Sequence, residues 1–179
     1  MKLLRTIRLD PSDTFIFANA AEPGEWAVSG AFVFADDDPG KLEGKARAAF
    51  RGGFLGVNSL GWSTLVQIVE ASEEDRRNAV EALAKQLMAH FGAPGPTEAT
   101  AAAEEEFAFA ASLCNHPHDT LIAVHRSHEG GEIREAFRSL HPKGGPKPLR
   151  AFSFLEVEGD EEPAERVDLA SLGQPEKKP

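Results

Sequence analysis

Residues 62–92, WSTLVQIVEASEEDRRNAVEALAKQLMAHFG, contain the transition that decides the fold. The opening stretch, Trp62 to Glu70, is rich in β-branched residues and has about the usual strand length, which predicts a central strand. Ser72 then stands where an N-cap belongs. Asp75 follows three residues on, able to return the hydrogen bond, and Glu73 and Glu74 sit at the positive end of the helix dipole. Val80, Leu83, Ala84, Leu87, Met88 and Phe91 recur at helical spacing, and Gly92 supplies a left-handed stop. A strand therefore runs directly into an amphipathic helix whose apolar stripe calls for a partner.

Upstream, residues 2–9 alternate loosely and stop at Asp10-Pro11-Ser12-Asp13, a turn cluster that marks the end of a first strand. Residues 25–34 alternate Trp26, Val28, Gly30, Phe32 and Phe34 with Ala27, Ser29, Ala31 and Val33. That pattern predicts a long strand with one bulky face and one small face. Asp36 to Gly40 breaks it, and residues 41–50 form a short helix closed by Gly52 and Gly53. Downstream, Ala93-Pro94-Gly95-Pro96 links to a second helix over residues 98–114, with Ala103, Phe107, Ala110, Ala111 and Cys114 as its buried stripe. Two helices joined this tightly should pair. A strand over 120–126 leads through the turn Glu129-Gly130-Gly131 into residues 133–140, which fit a helix slightly better than a strand; a last strand spans 149–157. Strands outnumber helices and are not spaced by regular crossover helices. The expected class is α+β: an antiparallel or mixed sheet with helices packed mainly on one face. Residues 1–158 form a single domain, and residues 159–179, charged and poor in large apolar groups, are expected to be a disordered acidic tail.

The chain has 179 residues, 41% of them apolar and 27% charged, enough for one self-sufficient core. Its net charge of −10 is concentrated, since residues 71–119 carry nine acidic groups against three basic ones. Phosphate backbones and anionic membranes should be repelled, so neither a nucleic acid nor a membrane is the expected partner. No run of apolar residues is long enough for a spanning helix, and the single Cys114 cannot form an internal disulfide, which makes the cytoplasm the expected location.

Cys114-Asn115-His116-Pro117-His118-Asp119, followed by His125 and His128, is the densest group of ligand-competent side chains. Pro117 favours extended backbone at His116, which would aim His116 and His118 to one side; with Asp119 and His125 they form a candidate zinc or iron site. His125 and His128 lie at an odd spacing, and no HExxH or paired CxxC is present, so a polar loop without metal is the stronger reading. Cys114 falls in the apolar stripe and reads as a core residue rather than a nucleophile. The glycines between Arg51 and Gly61 lack the spacing of a phosphate loop. The loop from His141 to Arg150, with Arg134 and Arg138 before it, is locally basic but lacks interleaved aromatics.

Residues 4–14, LRTIRLDPSDT, residues 21–32, AEPGEWAVSGAF, and the later Gly61-Trp62-Ser63-Thr64-Leu65-Val66 and Cys114-Asn115-His116-Pro117 resemble a proteobacterial domain family of unknown function over most of residues 3–157. The resemblance transfers no activity and no site residues. It implies an accessory role beside a redox or molybdenum-dependent enzyme system. The expected function is thus a small cytoplasmic binding or accessory protein of bacterial type, not an enzyme, with no cofactor and with a protein or small molecule as partner. A homo-oligomer is compatible with it. The alternative is a small metalloprotein using His116, His118, Asp119 and His125.

Overall fold

The computed structural model describes residues 1–142 and 155–158. β1 (Lys2–Ile7) lies between β2 (Trp26–Val28) and β5 (Leu65–Glu70), both antiparallel to it. β3 (Phe54–Gly56) and β4 (Trp62–Ser63) extend the sheet beyond β2. On the other side follow β6 (Leu121–Glu129), β7 (Glu132–Pro142) and β8 (Leu155–Glu158). The order is β4-β3-β2-β1-β5-β6-β7-β8, and every neighbouring pair is antiparallel. Among the described residues four α-helices complete the α+β fold: α1 (Asp13–Ile16), α2 (Gly44–Gly52), α3 (Glu73–His90) and α4 (Pro96–Ser112).

The strand expected over 62–70 is two strands. Only Thr64 separates β4 from β5, yet three strands lie between them in the sheet, so the sheet curls until its end returns to its middle. The buried Asp13 carboxylate holds this bend, accepting from the Thr64 backbone N–H at 3.1 Å and its hydroxyl at 2.6 Å. The interior row Thr6, Val66 and Ile122 runs across three paired strands, and all three are buried.

α3 starts as its sequence dictates. The Ser72 hydroxyl accepts from the Asp75 N–H at 3.0 Å, and the Asp75 carboxylate accepts from the Ser72 N–H at 2.9 Å. Its buried stripe, Ala79, Val80, Leu83, Ala84 and Leu87, pairs with α4, which buries Ala99, Ala103, Phe107 and Ala110. Ala111, expected in that stripe, is exposed, whereas Cys114 beyond the helix end is buried. Phe109 of α4 meets Phe137 of β7 edge to face, 5.7 Å between ring centres. Phe137 pairs with Val124, two residues from Arg126 on which the end of α2 rests, so α2 and α4 cover the same face of the sheet.

Two further expected elements change. The long strand over 25–34 ends at Val28, because Gly30 takes a left-handed φ of 83° and Ala31–Phe34 turns as a 3₁₀ helix. A side chain at Gly30 would place its Cβ 2.7 Å from the Leu55 Cβ, so the bend and the packing both need glycine. The helix expected over 133–140 is strand β7. Gly130 and Gly131, with φ of 56° and 81°, form a tight hairpin turn that pairs Glu129 with Glu132 and locks the rest into register with β6. The basic stretch 143–150, the first part of the strand expected over 149–157 and the tail 159–179 lie outside the described residues.

Candidate functional site

The site grows from a charged residue where the strand pattern calls for an apolar one. Ile122, Val124 and Arg126 share the interior face of β6, and the Arg126 side chain is fully buried. A buried guanidinium is stable only when its donors are matched. Here Nε donates to Oε2 of its cross-strand partner Glu135 at 2.9 Å. Nη1 donates to the Phe50 carbonyl at 2.6 Å and approaches that of Ala49 at 3.4 Å, while Nη2 donates to the carbonyls of Ser29 and Gly53 at 2.9 and 3.1 Å. The Phe50 and Gly53 carbonyls at the end of α2, which the helix itself does not satisfy, thus find their donor in Arg126, whereas that of Ala49 already accepts from the Gly53 N–H. Burial pulls the guanidinium below its ordinary value and Glu135 opposes that pull. The Ser29 hydroxyl completes the network by donating to Glu135 Oε2 at 2.5 Å.

α4 brings a second carboxylate to this network. Glu106 is half-buried, and burial first, then the Glu135 and Glu105 carboxylates, push it up to about 7, with Arg126 pulling the other way. Other buried carboxylates are occupied: Glu25 accepts from the N–H groups of Glu22, Asn58 and Ser59 and from the Ser59 hydroxyl. Glu106 has no hydrogen-bond partner among the described residues.

Glu106 lines a cleft of about 570 Å³ between the 3₁₀ turn, the end of α3 and α4. Phe32, Val33, Leu87 and Phe91 supply apolar wall, with Phe32 and Phe91 in edge-to-face contact at 5.2 Å. Glu98 and Glu105 stand with Glu106 along the α4 side. The chain turn at Gly30 is what carries Phe32 and Val33 over to this side. An apolar cleft with an unpartnered carboxylate at neutral pH can select a ligand that brings its own hydrogen-bond donor or positive charge.

The residues singled out in the sequence lie elsewhere. His118 Nδ1 is 3.3 Å from Asp119 Oδ1, and its Nε2 accepts from the Glu70 N–H at 3.3 Å, so both ring nitrogens have partners within the chain. The His116 carbonyl accepts from Lys2 Nζ at 2.7 Å and its ring stands edge to face with His141 at 6.1 Å. His125 lies four residues into β6 from Leu121, roughly 13 Å of strand, in a second cleft with Arg47 and Arg51. No group of three or more His, Cys, Asp or Glu side chains suited to a metal occurs among the described residues. Cys114 is a core residue; its thiol is held at the α4 end, 3.4 Å from the Ala110 carbonyl, and burial pushes it up to about 11. Among the described residues, no helix is long and apolar enough to cross a membrane.

Arg126, Glu135 and Glu106 were not singled out, although each breaks a pattern. Arg126 continues the interior alternation of Ile122 and Val124, and Glu106 falls between Ala103 and Ala110 in the stripe of α4.

The chain matches the model of a family of unknown function, DUF6505, over residues 1–153, and it belongs to that family. No curated protein and no solved structure matches it.

Proposed function

We propose that the protein is a binding protein without enzymatic activity, and that the cleft between α3, α4 and the 3₁₀ turn takes a small molecule with an apolar body and a protonated amine. The observation that carries the reading is Glu106: a half-buried carboxylate with no hydrogen-bond partner among the described residues, set beside aromatic and aliphatic wall. An ammonium group placed there would be desolvated together with its partner, where a charge-assisted hydrogen bond is strongest. The apolar body would cover Phe32, Leu87 and Phe91. Because Glu106 ionises only around pH 7, a cationic ligand displaces a proton on binding, and its affinity rises with pH through that point. An accessory role beside a redox or molybdenum-dependent enzyme is the setting that the resemblance implies for such a binder, and the cytoplasm its expected place.

Calorimetric titration with phenethylamine and with 3-phenylpropionate tests the reading. The amine is expected to bind one per chain, more tightly at pH 8 than at pH 6, and the acid to bind at least about tenfold more weakly, roughly one charge-assisted hydrogen bond. Glu106→Gln should remove the preference. Equal affinity for amine and acid, or an amine affinity unchanged by Glu106→Gln, overturns it.

A further inference from the structure

We propose that the second cleft, between α2 and the end of β6, binds a small dianion of the phosphate-monoester class. The chain is acidic overall, with 29 carboxylates against 19 Lys and Arg. This cleft inverts that balance: Arg47, Arg51, His125, Arg126 and His128 line it, and among the described residues no carboxylate does.

Arg47 and Arg51 lie four residues apart on α2, hence on one face of the helix, and both are exposed. Neither makes an ion pair or a side-chain hydrogen bond among the described residues, in a protein with a surplus of acid. Like charges at that spacing destabilise a helix. The end of α2 does not need them, since Arg126 already donates to its carbonyls. Acidic groups nearby are turned to other tasks. Asp38 caps the Gly40 N–H and faces Lys41 at 4.0 Å, and Glu129 faces Arg134 at 3.5 Å. Arg126, already saturated by Glu135 and the carbonyls, forms a fixed cationic floor rather than a free ligand.

Two guanidinium forks on a helix face, opposed by the His128 imidazole, which shares the α2-facing side of β6 with Arg126, match the tetrahedral array of acceptors on a phosphate. With a volume of about 280 Å³ the cleft has room for a phosphate and a short substituent, and it is far too small to follow a nucleic-acid backbone. The site is separate from the amine cleft and opposite to it in charge, so it stands whether or not that reading holds.

The test is ³¹P-detected titration of the full chain with inorganic phosphate at low salt, with acetate as a competing monoanion. Wild type should bind phosphate in preference to acetate. The double variant Arg47→Ala with Arg51→Ala should weaken phosphate by at least about tenfold, the loss of two charge-assisted contacts. Lys45→Ala, on the same exposed helix but outside the cleft, should change it little, and far-UV circular dichroism shows whether α2 persists in both. His128→Gln should weaken binding without touching α2, which keeps the test decisive if the helix variant misfolds. Absence of phosphate binding, no preference over acetate, or equal losses in the Lys45 and Arg47/Arg51 variants overturns the proposal.

Discussion

Glu106→Gln tests the electrostatics of the amine cleft without any ligand. In the unfolded chain this carboxyl has its ordinary value of 4.5, and in the native protein burial and the Glu135 and Glu105 charges push it up to about 7. Between those values the native state holds a proton that the unfolded chain has released. Stability tied to this proton is therefore complete below pH 4.5 and is lost as pH rises through 7. The displacement corresponds to about 3 kcal/mol at 1.36 kcal/mol per pH unit. Because Glu106 is only half-buried, water screens part of it, and about 2 kcal/mol is the expected loss between pH 5 and pH 8.5. Glutamine has the same shape and does not titrate, so the variant should gain about 2 kcal/mol on wild type at pH 8.5 and little at pH 5. Urea denaturation at both pH values measures the difference directly. A variant whose advantage is the same at pH 5 and pH 8.5 would refute the reasoning, since Glu106 would then be ionised at an ordinary pH in the folded protein.

Arg126→Met removes the donor that Glu135 and the carbonyls of Ser29, Phe50 and Gly53 share, and should cost about 3 to 5 kcal/mol, as expected for a buried ion pair left with one partner. A midpoint in urea within about 1 kcal/mol of wild type would mean that water replaces the guanidinium there. Leu87→Ala, at a buried position of α3 that also lines the amine cleft, should cost about 2 to 5 kcal/mol; chemical denaturation checks it, and an unchanged midpoint would show the helix is not anchored by that face. Elemental analysis of protein purified without a histidine tag should find less than about 0.1 equivalents of zinc or iron, and a stoichiometric amount would establish a metal site, with His116, His118, Asp119 and His125 as the candidate ligands.

What was legible depended on whether the deciding interaction is local. Ser72 and Asp75 announce α3 because both halves of the capping box lie within one turn, and Gly92, with φ of 75°, ends the helix region where the sequence places it. Residues 133–140 misled for the opposite reason. Ile133, Ala136, Phe137 and Leu140 recur at helical spacing, but the turn at Gly130-Gly131 presents them to a ready-made partner strand, and cross-strand hydrogen bonds override the local period. Residues 25–34 alternate well enough for a strand, and only contact with Leu55, distant in sequence, fixes Gly30 in its left-handed turn. The histidines stand out by residue type and by the extended geometry that Pro117 favours, both local features. The groups that shape the two clefts, Glu106 and the Arg47–Arg51 pair, carry no motif; their character comes from neighbours supplied by other elements.

The position of β1 bears on how the chain matures as it is made. Of the described strands β1 is made before the others and ends between β2 and β5, and β5 begins some sixty residues later at Leu65. Until then Leu3 and Leu4, wholly sequestered in the finished protein, have no complete shelter. β5 in turn needs β6, which begins only at Leu121, after α3 and α4 have emerged. Acquisition of structure is thus back-loaded: a truncated nascent chain presents an unpaired apolar strand to its surroundings, and the molecule gains its resistance to proteolysis late, when the second half of the sheet arrives.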